Sequence, residues 1–178
     1  MNLTSKNLKL MLGTFYLVAL FIVLYFLFSI VDIKDLTNYD FFRSNKDIII
    51  KYKNENFILL TISYFIFSVI WVLLLGFAGP LLLFAGFVFG KWFGIAISLI
   101  ATTIGATLLY LLAKVFFSEI IKEKFTNKFY KFNNFFKKNE LFYFIIFRFV
   151  GGGGIPYGIQ NVLPVLFNIS TKNYMIGT

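Results

Sequence analysis

The sequence contains no cysteine and no histidine, and only three prolines. Without cysteine there are no disulfides, thiolate nucleophiles or thiolate metal sites. Without histidine the commonest metal ligand and the usual near-neutral general base are missing as well. Negative charge is scarce: eight Asp and Glu stand against 17 Lys and Arg. No acid occurs between Asn56 and Ser118, and none follows Glu140. The apolar segments therefore offer no carboxylate pair and no metal constellation. The chain is not expected to be an enzyme or to hold a metal or other cofactor.

Apolar residues fill the chain instead. Hydrophobic residues make up 59% and charged residues 14%, with a mean hydropathy of +0.81, which places the chain in a membrane. Uncharged runs cover Leu10 to Val31, Phe57 to Gly90 and Trp92 to Ala113. One crossing needs roughly 20 apolar residues at about 1.5 Å each. The first and third runs fit one crossing. The second is too long for one helix and too short for two with a turn. Gly76, Gly79 and Pro80 fall inside it, so a span followed by a half-helix is expected. Lys6 and Lys9 precede the first run as they would a secretory signal. The run is too long for a signal core, however, and no small-x-small cleavage site appears before Asp32, so it reads as a retained transmembrane helix. The 26 phenylalanines accompany many Ile, Lys and Asn and fit a biased genome better than a base-stacking platform. Nor does a net charge of +9 call for nucleic acid, because positive charge beside spans is the normal membrane pattern.

A fourth apolar stretch, Leu141 to Thr171, holds one ionisable charge, Arg148. The glycines Gly151, Gly152, Gly153 and Gly154 follow it, then Pro156, Tyr157, Gln160, Asn161 and Pro164. A guanidinium at membrane depth costs a few kcal/mol on insertion scales. It persists where it lines a polar cavity or meets a partner. The four glycines and Pro156 do not form a stable helix interior. Broken backbone at membrane depth is tolerated where it is buried in protein or lines a water-filled cavity. The segment is either a kinked span whose arginine snorkels to the interface or a re-entrant hairpin with Arg148 near its working centre. The hairpin is the expected form. The glycine run lacks the Lys-Ser/Thr ending of a P-loop, which excludes nucleotide binding.

Two polar stretches divide the chain. Asp32 to Asn56 balances Lys34, Arg43, Lys46, Lys51 and Lys53 against Asp32, Asp35, Asp40, Asp47 and Glu55, and reads as a surface linker. Residues 1–56 are accordingly expected to be an N-terminal transmembrane helix and linker, and 57–178 a membrane domain. In Ser118 to Glu140, Phe125, Phe129, Phe132 and Phe136 recur at helical spacing, flanked by Lys124, Lys128 and Lys131. This pattern fits a helix lying in the membrane interface, with lysines at anionic headgroups. The other reading packs the stripe on the rest of the protein. Lysine and arginine counts favour a cytoplasmic position for both polar stretches.

Between them, small residues recur every fourth position at Gly86, Gly90, Gly94, Ser98, Thr102 and Ala106. Such a strip lets backbones approach closely in lipid, so the helix after Pro80 is expected to be buried against another part of the protein. The two interrupted apolar segments, at Gly79-Pro80 and at Gly151 to Pro156, form a pair of the kind that points to a transporter-type midplane site.

At these residues the chain resembles the DedA/VTT-domain superfamily, also called SNARE-associated Golgi proteins, and within it the Tvp-like branch. One motif is Gly79-Pro80 followed by Gly86, Gly90 and Gly94. The other is Arg148-Phe149 with Pro156 and Asn161, closing with Gly177-Thr178. The resemblance covers roughly Phe57 to Thr178. It implies an all-α integral membrane protein of transmembrane helices and two opposed re-entrant helical hairpins. Gly79, Pro80, Gly86, Gly90, Gly94, Pro156 and Pro164 would form those hairpins. It also implies lipid handling, as flippase or scramblase, for phospholipids or a polyprenyl-phosphate carrier, in a bacterial cytoplasmic membrane. DedA-type members carry acids near the first hairpin that are linked to proton coupling, and this chain has none there. Relatives also continue into further helices where this chain stops at Thr178, so it is expected to be a C-terminally truncated member.

On this reading a headgroup phosphate meets Arg148, whose planar guanidinium offers bidentate donors. Backbone N–H groups of Gly151 to Gly154 add an anion nest, and Tyr157, Gln160 and Asn161 add uncharged contacts. The expected partners are membrane lipids with anionic phosphate headgroups, and a second copy of the chain in a homo-oligomer. A carbonyl ring at a helix C-terminus would instead make the arginine structural. The competing functions are a small-solute or ion transporter and a non-transporting assembly or scaffold protein.

Overall fold

A computed structural model describes residues 3–30, 46–124, 136–151 and 154–178. Within these residues the regular elements are all helical. They are α1 (Leu3–Ile30), α2 (Lys46–Glu55), α3 (Phe57–Leu75), α4 (Gly79–Phe89), α5 (Lys91–Lys124), α6 (Glu140–Gly151), α7 (Tyr157–Val162), the 3-10 helix η1 (Leu163–Phe167) and α8 (Thr171–Gly177). Among the described residues, two stretches are long and apolar enough to cross a membrane, Phe57–Leu75 and Lys91–Phe116. Gly79–Phe89 is shorter, with 11 residues. At about 1.5 Å per residue it reaches about half of a hydrocarbon core roughly 30 Å thick. The span followed by a half-helix expected between Phe57 and Gly90 is present, and the break between them falls at residues 76–78. Within the Ser118–Glu140 stretch, residues 125–135, including Phe125, Phe129, Phe132, Lys128 and Lys131, lie outside the described residues, as does the side chain of Lys124.

The chain divides into two compact units. The first comprises Met1–Ser68 and Gly79–Leu99. There α4 runs back along α3. The Tyr64 hydroxyl donates to the Leu81 carbonyl at 3.0 Å, and Phe57 meets Phe89 edge-on at 6.2 Å between ring centres. Gly90, at φ +80, then reverses the chain into α5. This left-handed conformation is one that glycine adopts without penalty. After the turn α4 and α5 lie so close that a Cβ on Gly94 would stand 2.6 Å from the Ala85 carbonyl oxygen. Tyr64 completes the layer through a 2.7 Å bond to the Ser98 hydroxyl. Gly94 and Ser98 thus serve packing, as the strip predicts. Gly79, Gly86 and Gly90 face open space among the described residues.

The second unit comprises Val69–Ala78 and Ile100–Thr178. Gly105 of α5 takes the upper part of α3, where an added Cβ would stand 2.8 Å from the Val69 carbonyl oxygen. Beyond α6 the chain doubles back. Gly151 packs on Gln160 and Arg148 bonds Asn161, so α7 runs antiparallel to α6. Farther along, Phe167 stacks on Phe136 at 4.7 Å. The chain then turns again, and α8 lies parallel to α6, with Glu140 bonded to Ser170 and Asn173, Phe144 packed on Gly177 and Arg148 bonded to Thr178. Asn168, in the left-handed region at φ 47, makes this second turn. Asn tolerates that region better than most residues.

Candidate functional site

The sequence of α6 sets both of its ends. Glu140 lies in the first turn and Arg148 in the last, the arrangement that complements a helix dipole. Gly151 ends the helix, and its carbonyl accepts from the N–H groups of Gly154 at 3.2 Å and Ile155 at 2.8 Å. Those two donors close the helix terminus. Gly152 and Gly153 lie outside the described residues. Pro156, extended at φ −53 and ψ 138, starts α7. Gln160 then reaches back to donate to the Ile155 carbonyl at 2.7 Å and pins the turn. Pro164, which has no N–H to donate, sits in the first residues of η1, where the tighter 3-10 geometry takes over.

Around this frame, among the described residues, Arg148 makes three hydrogen bonds, all to neutral oxygens. Nη1 donates to Asn161 Oδ1 at 2.8 Å. Nη2 donates to the Tyr174 hydroxyl at 3.0 Å and to Thr178 Oγ1 at 2.8 Å. Three rings surround the guanidinium: Phe144 at 5.2 Å, Tyr174 at 5.3 Å and Tyr157 at 5.6 Å from the central carbon. The rings' negative faces favour the cation, which partly offsets its desolvation. The Tyr157 hydroxyl lies beside Asn161 and Thr102. No carboxylate bonds the guanidinium among the described residues.

Tyr174 fixes this cluster to the rest of the unit. It is fully buried, its ring stacks on Tyr110 at 4.3 Å and on Phe144 at 5.2 Å, and its hydroxyl reaches the Asn161 carbonyl oxygen at 3.2 Å. Tyr110, also fully buried, donates to the Ile169 carbonyl. At the opposite end of α6, Glu140 accepts from the Ser170 N–H at 2.6 Å, the Ser170 hydroxyl at 2.8 Å and the Asn173 side chain at 3.1 Å. Partial burial alone would raise the Glu140 carboxyl. The bonds from Ser170 and Asn173, together with the nearby Lys137 charge, outweigh it and hold the group below its ordinary value.

The second unit therefore gathers Arg148, Gly151, Tyr157, Gln160, Asn161 and Pro164, with Gly154 and Pro156 exposed at the turn. Gly79, Pro80, Gly86, Gly90 and Gly94 belong to the first unit. Asn161 is fully buried and Gln160 is 5% exposed, and each bonds inside the protein. Phe136 is buried against Phe167 and Tyr143. Tyr174, Thr178 and Glu140 are the residues that sequence reasoning leaves out of the site. Tyr174 and Thr178 reach Arg148 from 26 and 30 residues away, and no local spacing points to them.

The VTT domain family profile matches residues 77–178, which include the Gly79-Pro80 segment and the whole Arg148 cluster. The chain belongs to the VTT-domain family. No curated protein and no solved structure matches it. Within this VTT domain, the arginine and the asparagine of the second motif bond each other, and the proline starts the helix that carries the asparagine.

Proposed function

We propose that this VTT-domain protein moves lipids across the membrane by sheltering an anionic phosphate headgroup at Arg148, as a flippase or scramblase and without covalent chemistry. The observation that carries the reading is a guanidinium in an apolar segment that, among the described residues, bonds only neutral oxygens. A positive charge removed from water favours an anion beside it. A lipid phosphate supplies one, and it must cross about 30 Å of hydrocarbon to change leaflets. The hairpin around Arg148 is read as re-entrant. Its first helix has 12 residues. At about 18 Å, that helix is shorter than the core it would have to cross, and the chain turns back after it. In this reading Asn161 and Gln160 hold the arginine and the turn from behind, and Arg148 meets the headgroup.

The experiment is fluorescent phospholipid translocation in liposomes, comparing the full-length protein with Arg148→Ala. Loss of movement with folding and insertion intact supports the reading. Movement that survives the substitution overturns it. The hydrogen bonds from Arg148 to α7 and α8 favour a second reading, a structural arginine in a scaffold protein. That reading predicts that Arg148→Ala lowers thermal stability and leaves any transport per folded molecule unchanged.

A further inference from the structure

A guanidinium has two edges on which N–H pairs point the same way, an end-on edge between the terminal nitrogens and a side-on edge that includes Nε. In Arg148 these edges are filled unequally. Asn161 Oδ1 accepts from Nη1 and the Tyr174 hydroxyl from Nη2, and the two oxygens lie 3.4 Å apart. Acceptors that close share the end-on edge. The remaining Nη2 hydrogen, on the Nε side, goes to Thr178 Oγ1 at 2.8 Å. Its neighbour on that edge is Nε, which is buried and finds no hydrogen-bond partner among the described residues. The end-on edge is complete, and the side-on edge is half filled by one neutral hydroxyl.

The three acceptors also differ in how they are held. Asn161 and Tyr174 are fully buried, and the Tyr174 ring is stacked on Tyr110 and Phe144. The Thr178 hydroxyl donates to the Tyr174 carbonyl at 2.8 Å, a bond that does not depend on Arg148, and its side chain has no ring to be held by stacking. The Tyr174 hydroxyl also has a second bond, to the Asn161 carbonyl, but its ring is held by two stacks, so the Thr178 hydroxyl is the easiest of the three to displace. An oxyanion taking its place would also satisfy Nε, and a buried N–H without a partner is costly.

We propose that the side-on edge of Arg148, Nε together with the Nη2 hydrogen now bonded to Thr178, is an oxyanion-binding site, and that the Thr178 hydroxyl is a placeholder the anion displaces. The ligand class is an anion that presents two oxygens from one centre, such as a phosphodiester. Asn161 and Tyr174 keep their bonds and act as positioning residues. The inference rests on the reading of Arg148 as the headgroup partner and specifies the atoms through which it acts.

Thermal unfolding of the full-length protein in detergent tests it, with phosphatidylglycerol, phosphatidylcholine or inorganic phosphate titrated in. A ligand that binds the folded state raises the melting temperature with its concentration. Thr178→Val, which removes the competing hydroxyl at nearly constant shape, is expected to tighten apparent phosphatidylglycerol binding about three- to ten-fold. Thr178→Ser should match the wild type. Arg148→Lys should lose the response, because an ammonium cannot form the fork. Unchanged or weaker anion binding in Thr178→Val overturns the proposal, even where the wild type translocates lipid. A response to inorganic phosphate, tightened in Thr178→Val but absent with phosphatidylglycerol, supports the edge and removes the lipid reading. If the ligand-free melt shows Thr178→Val misfolded, Thr178→Ala makes the same comparison.

Discussion

Gly76 and Gly158 meet backbone to backbone. A Cβ added to Gly76 would stand 2.9 Å from the Gly158 Cα, and one added to Gly158 would stand 3.2 Å from the Gly76 carbonyl oxygen. The break after α3 and the start of α7 are thus packed together with no side chain between them. Gly76 also adopts φ +70, where side-chain-bearing residues are strained.

Gly76→Ala is therefore expected to destabilise the protein by about 2–3 kcal/mol, combining backbone strain with a contact that backbone atoms cannot relieve. Gly79→Ala, with open space at its Cβ, is the control and should be near neutral. Denaturant or thermal unfolding in detergent checks both.

Glu140 gives a pH dependence with a definite sign. Its carboxyl is held below the ordinary value in the folded state, so the unfolded chain binds the proton more readily. Its contribution is present above the unfolded value and is lost as pH falls through the folded one. Glu140→Gln should lower the melting temperature at neutral pH. The gap to wild type should close in acid, below the ordinary carboxylate range. A gap that persists there contradicts the assignment.

Asn161→Asp places a carboxylate where Arg148 now meets a neutral oxygen. The internal ion pair would satisfy the guanidinium and exclude an external anion. Anionic lipid translocation should fall about ten-fold or more, while Arg148 stays bonded and the fold is retained. Rates in liposomes, read beside melting temperature, check this.

Tyr110→Phe removes the bond to the Ile169 carbonyl and keeps the ring stacked on Tyr174. About 1 kcal/mol of stability should go, the usual net value of such a bond. Headgroup selectivity should not change. A change in selectivity would mean that the Tyr110–Tyr174 pair sets the position of Arg148.

Arg148, Pro156 and Asn161 are legible in the sequence because their signals are local. A charge stands out in an apolar run, and a proline ends a helix wherever it falls. Gly94 and Ser98 are legible as packing residues because fourfold spacing places them on one helical face. Tyr174 and Thr178 depend on a longer-range event, the return of α8 parallel to α6, which no local spacing encodes. The Phe136 stripe shows a different limit. Periodicity announces an apolar face but not whether lipid or protein covers it, and Phe136 lies against Phe167 and Tyr143. The partner of Gln160 is only five residues away, and a different ambiguity hides it: an amide in a turn reads equally as a ligand contact or as a clamp on a neighbouring carbonyl.

The most direct measurement compares initial translocation rates of phosphatidylglycerol and phosphatidylcholine in liposomes for the wild type and Arg148→Gln at equal protein density. The wild type is expected to move the anionic lipid faster, and Arg148→Gln to abolish the difference. Equal rates for both lipids in the wild type, or a preference that survives in Arg148→Gln, would contradict it.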